Sequence, residues 1–70
     1  MTAVTIYVAR PSTARGLWRM TTNGRAEQFH ATEGEAMKAA TWLARFLEDA
    51  GEEVVVKMEA ADGHWEIMRS

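Results

Sequence analysis

Two Asx-Gly dipeptides, Asn23-Gly24 and Asp62-Gly63, each stand between runs of alternating apolar residues, and one helical stripe separates them. Asx-Gly favours a type I′ turn because both central residues tolerate positive φ, and such a turn folds one strand directly back on another. A chain with this signal on each side of a helix is expected to build its sheet from two hairpins. The first should join strands over 17–22 and 25–30. With a two-residue turn its register sets Trp18 opposite Phe29, a cross-strand aromatic pair for the buried face. The second should join 53–60 to 64–68, pairing Met58 with Ile67 and Ala60 with Trp65, so that both strands send apolar residues to one side.

A further strand is expected over 3–9, where Val4, Ile6 and Val8 alternate with Thr5, Tyr7 and Ala9. Pro11, Ser12, Thr13 and Gly16 then mark a loop. Thr32-Glu33-Gly34-Glu35 has capping-box spacing and predicts a helix start. Ala36, Ala40, Leu43, Leu47 and Ala50 recur at helical spacing, with Lys38, Thr41, Arg45 and Glu48 on the far side. Gly51 suits the left-handed residue that ends a helix. Three alanines among the five stripe positions let the helix approach a sheet closely. Gly34 is read as a position where a side chain would crowd a neighbour. The expected fold is one α+β domain over 1–70: an antiparallel sheet, ββαββ-like or βββαββ, with one amphipathic helix packed on one face. Its core should include Val4 or Val8, Trp18, Leu43, Leu47, Val56 and Ile67.

The aromatic first hairpin, the Thr-x-x-Glu-Ala helix start, the Ala and Leu pairs of the helix, Gly51, Glu53-Val54-Val55-Val56 and Asp62-Gly63 together resemble the small bacterial domain of unknown function 2188. The likeness spans nearly the whole chain and rests on fold-forming positions. It implies the fold and carries no activity. The acidic helix exit, Glu48-Asp49 and Glu52-Glu53, and Trp65 in the last strand depart from the usual pattern.

Seventy residues leave room for one core, and the chain contains no cysteine with which to staple it. No leader pattern is visible from Met1 to Arg10, and no apolar run approaches the length of a membrane span. These features read as a cytoplasmic protein with no membrane partner. Catalysis is not expected, because so small a core leaves little room for a cleft holding an acid and a base. His30 and His64 lack metal-ligand spacing, and Glu33 and Glu35 are explained by the positive end of a helix dipole. The glycines form no phosphate-binding motif. No cofactor and no metal are expected.

Charge and aromatic placement leave two readings of function. Residues 1–26 carry Arg10, Arg15, Arg19 and Arg25 with no acid, a charge of +4, while the remainder carries −6. Trp42 and Phe46, four residues apart, lie about 80° to 120° from the centre of the apolar stripe and widen it on one flank. The leading reading is a non-catalytic protein-interaction module, homodimeric through Trp42, Phe46 and Ala39 or through an open strand edge. A compact domain of this kind would suit an accessory or phage-type protein that binds a host factor. The alternative is a small nucleic-acid-binding domain using Arg10, Arg15, Arg19 and Arg25 with Trp18. The acidic pI of about 5.6 weighs against it.

Overall fold

In the computed structural model, which describes residues 3–13 and 16–69, the first strand lies at the centre of the sheet. The described elements are β1 (Ala3–Ala9), β2 (Trp18–Thr22), β3 (Gln28–His30), α1 (Glu33–Asp49), β4 (Glu53–Glu59) and β5 (Trp65–Arg69), with sheet order β3-β2-β1-β4-β5. This is the expected α+β class in its βββαββ form. β1, β2 and β3 meander antiparallel to one edge, so β3 points the same way as β1. The helix carries the chain back, and β4 enters parallel to β1, with Ala3 facing Glu53 and Ile6 facing Val56. The sheet is therefore mixed, not antiparallel throughout. A connection containing a helix can join strands of the same sense, which a tight hairpin cannot.

The helix follows its local signals. Thr32 is the N-cap, and its Oγ1 accepts the Glu35 N–H at 3.1 Å. At the other end Gly51 adopts φ 93°; its N–H donates to the Glu48 carbonyl, and the Glu52 N–H donates to the Leu47 carbonyl, each at 3.0 Å. That pair of bonds is a Schellman motif, which satisfies two otherwise orphaned carbonyls. One stripe position differs from expectation. Ala50 is the exposed C-cap, and Ala44 takes its place in the core. Ala36, Ala40 and Ala44 are fully buried at intervals of four, so the helix backbone comes close to the sheet. Ile6, Val8, Trp18, Met20, Val54 and Val56 meet this stripe together with Leu43 and Leu47. Among the described residues no polar or charged side chain is buried in that core.

Both hairpins are displaced by one residue from the expected register. β2 pairs with β3 as Trp18 with His30 and Arg19 with Phe29, and β4 pairs with β5 as Lys57 with Ile67 and Glu59 with Trp65. The cause is turn geometry. Gly24 and Gly63 have positive φ, 78° and 94°, but Asn23 and Asp62 do not, so neither dipeptide forms the type I′ turn. In the second hairpin the Gly63 N–H donates to the Ala60 carbonyl at 2.9 Å and the Ala60 N–H to the His64 carbonyl at 2.7 Å. Those bonds close a three-residue loop, Ala61-Asp62-Gly63, with glycine in the left-handed position. In the first, the Arg25 N–H reaches the Thr22 carbonyl at 3.4 Å, and strand pairing resumes only at Gln28. A slip of one residue moves every side chain to the other face. Phe29, Trp65 and Ile67 thus leave the core; Ile67, expected among its residues, is 64 % exposed. A β-bulge lies between Val56 and Lys57, where pairing passes from Arg69 to Ile67.

Candidate protein-interaction faces

One helix can cover only one side of a five-stranded sheet. On the other side β1 presents Thr5, Tyr7 and Ala9, β2 presents Arg19 and Thr21, β3 presents Phe29, β4 presents Val55, Lys57 and Glu59, and β5 presents Trp65 and Ile67. Five of the large apolar side chains left exposed, Tyr7, Leu17, Phe29, Trp65 and Ile67, belong to this face or its margin. They are not scattered. The Tyr7 and Trp65 rings meet edge to face, and the Lys57 ammonium lies 6.0 Å from the Tyr7 ring centroid. Leu17, Arg19 and Phe29 line a shallow hollow with Arg10, Pro11 and Ser12 at the opposite margin. Among the described residues the charges on the face balance: Arg19 pairs with Glu27 at 3.5 Å, and Lys57 neighbours Glu59, whose Oε1 accepts the Arg10 backbone N–H at 2.9 Å.

The outward side of α1 forms a second surface. Trp42 is 70 % exposed and Phe46 46 %, with ring centroids 5.8 Å apart. Because Ala44 sits in the buried stripe, Trp42 lies roughly 140° from the stripe's centre at 100° per residue, on the crest of the helix and not on its flank. Phe46 turns toward the β2–β3 turn, where the Arg25 guanidinium lies 5.9 Å from its ring. Ala39, grouped with them by its sequence position, is half-buried and packs against the core.

The arginine set does not converge. Arg15 lies outside the described residues. Arg19 is on the uncovered sheet face beside Glu27, and Arg25 is over Phe46 on the helix side. Arg10 stacks at 5.1 Å on the ring of Trp18, which is only 8 % exposed and faces the helix. Trp18 therefore offers little surface for a base to stack on. His30 and His64 belong to opposite edges of the sheet, about 19 Å apart by strand spacing, which is too far to share a metal. His64 instead bridges its own hairpin: Asp62 Oδ1 accepts from the His64 N–H at 3.1 Å and contacts ring Nδ1, while Nε2 faces Glu66 Oε1 at 3.3 Å. The Asp62 carboxyl is held below the usual aspartate value, first by that backbone N–H and then by the ring. Among the described residues no group of three acidic, histidine or cysteine side chains could hold a metal ion. No described helix is long and apolar enough to cross a membrane.

No family model matches the chain, and neither a curated protein nor a solved structure matches it.

The uncovered face was hidden from sequence reading because the two assumed registers assigned Phe29, Trp65 and Ile67 to the core. The available clue was arithmetic. With those residues inside, together with the valines of β4, a single helix with an alanine-rich stripe has to cover all of them.

Proposed function

We propose that this chain is a non-catalytic protein-interaction module that works as a two-fold homodimer, with the uncovered sheet face of one copy closed against that of another. The observation that carries the proposal is the ordered apolar cluster around Tyr7 and Trp65 on a face where, among the described residues, the charges cancel. A face that meets its own copy cannot carry a strong net charge, and Arg19, Glu27, Lys57 and Glu59 supply two of each sign. A cysteine-free chain also fits a reducing, cytoplasmic setting. The likeness to the domain of unknown function 2188 would concern the same fold-forming positions and bring no activity with it.

The helix crest suits self-pairing less well, because a two-fold contact there would bring Arg25, Lys38 and Arg45 toward their own copies. A nucleic-acid role has weaker support than either, since the described arginines are dispersed and Trp18 is covered.

Sedimentation at about 50 μM, where a micromolar dimer is mostly formed, tests the proposal. Wild type and Trp42→Glu should sediment as dimers, and Trp65→Glu and Ile67→Glu as folded monomers. A monomeric wild type would defeat the reading, and so would a monomeric Trp42→Glu beside dimeric sheet-face variants.

A further inference from the structure

We propose that the crest of α1 is a second docking site, and that its occupant is a short acidic peptide segment of another protein bearing an apolar anchor. Trp42 and Phe46 expose an aromatic pair on a helix whose opposite side already packs on the sheet. Single exposed apolar residues are ordinary, but two large rings in mutual contact on the outward side of the helix are not accounted for by the core. Shallow hollows flank Trp42 on both sides: Phe46 and Asp49 help to form one, Met37 and Lys38 the other, and Arg45 lines both.

The charges around the rings specify the partner. Among the described residues neither Lys38 nor Arg45 makes an ion pair, and Arg25 spends its guanidinium on the face of Phe46. Three cations without carboxylate partners beside two exposed rings are the composition of an interface hot spot awaiting acidic groups. The island is short. From Lys38 to Arg45 it extends about 10 Å along the helix, with Glu35 one turn before it and Asp49, which lines the same hollow as Arg45, one turn after it. A phosphate backbone needs a basic track that continues from one nucleotide to the next. This one stops after two helical turns, which leaves room for a few carboxylates and one apolar side chain set beside Trp42. The crest and the uncovered sheet face lie on opposite sides of the molecule, so the site does not depend on dimerisation and would be displayed outward by each copy.

The test is fluorescence anisotropy with three labelled probes: a synthetic Asp/Glu peptide carrying Leu and Phe, the same peptide with every acid replaced by Lys, and an oligothymidine. The acidic peptide should bind wild type and weaken as salt rises. Trp42→Ala and Arg45→Glu should each weaken it about tenfold or more, with circular dichroism and thermal unfolding showing that the fold is retained. Ile67→Glu should bind as wild type does, which separates this site from the dimer face. No binding of the acidic peptide, equal binding of the Lys peptide, tighter binding of the oligothymidine, or unchanged affinity in both crest variants would each overturn the assignment.

Discussion

Tyr7 on β1 and Trp65 on β5 meet across β4, their ring centroids 5.4 Å apart and their planes at 79°. The two strands are not neighbours, so the rings lean over the strand between them. Edge-to-face pairs contribute about 0.5–1.5 kcal/mol beyond the area they bury. A double-mutant cycle on Tyr7→Leu and Trp65→Leu, measured by urea titration at a concentration too low for association, should give a coupling in that range. A coupling below about 0.3 kcal/mol, within the error of additivity, would mean that the rings are only neighbours.

Leu43 is the bulkiest side chain in the middle of an otherwise alanine-rich stripe and is 4 % exposed. Leu43→Ala should cost about 2–5 kcal/mol, because the fully buried alanines around it have no atoms with which to fill the cavity. For a domain of this size that is a large part of the total stability. Trp42→Ala, one residue away on the crest, should change stability by no more than about 0.5 kcal/mol. Urea unfolding of the two variants checks the contrast.

These two residues also show how much of the molecule is legible from its sequence. The period of the helix, its Thr32 cap and its Gly51 exit are local signals, each decided within a few residues, and the fold reproduces them. The alternation in β1 is equally local. Hairpin register is different, because Asn23-Gly24 and Asp62-Gly63 are compatible with loops of two or three residues. Only the φ of the residue before each glycine separates the two cases. The apolar pattern could not arbitrate. β4 has valines on both faces, β5 offers Trp65 and Ile67 on one face and Met68 on neighbouring positions, and β3 is three residues with Phe29 in the middle. Since the main candidate face consists of the residues that this ambiguity moved, it was the least legible part.

Glycine at position 63 and glycine at position 34 should respond oppositely to alanine. Gly63 has φ 94°, where an L side chain is strained even though a Cβ would meet nothing within 4 Å. Gly63→Ala should therefore destabilise the hairpin by about 1–2 kcal/mol. At Gly34 the nearest atom to an added Cβ is Thr32 Oγ1 at 4.0 Å, so crowding does not explain the residue. Gly34→Ala should stabilise the first helical turn by about 0.4–1 kcal/mol. Thermal unfolding that moved both variants in the same direction would contradict this account.

Asp62 gives the second hairpin an acid limb. Its carboxyl is lowered mainly by the His64 backbone N–H and secondarily by the His64 ring. A carboxyl whose pKa is lower in the folded than in the unfolded chain stabilises the fold above its unfolded value and loses that contribution as pH falls through the folded value. Stability should therefore decline below about pH 4, and Asp62→Asn should flatten that part of the profile. A carboxyl-carbon titration of Asp62 with a midpoint at or above about 3.9 would remove the ionised side chain from the support of the turn.

The parallel pairing of β1 with β4 also governs the order in which the protein can assemble. Ala3 has to meet Glu53, and Val8 has to meet Met58, so the two middle strands come together only by closing a loop of about fifty residues, an entropic cost met before most of the burial that offsets it. A nascent chain that has emerged only as far as α1 has β1 to β3 and the helix available, but one flank of β1 has no strand to pair with. Ile6 and Val8 then have no Val56 or Met58 beside them. Completion therefore waits for the fourth strand, and during synthesis the chain is expected to collapse late and nearly all at once, with little stepwise accumulation from its leading end.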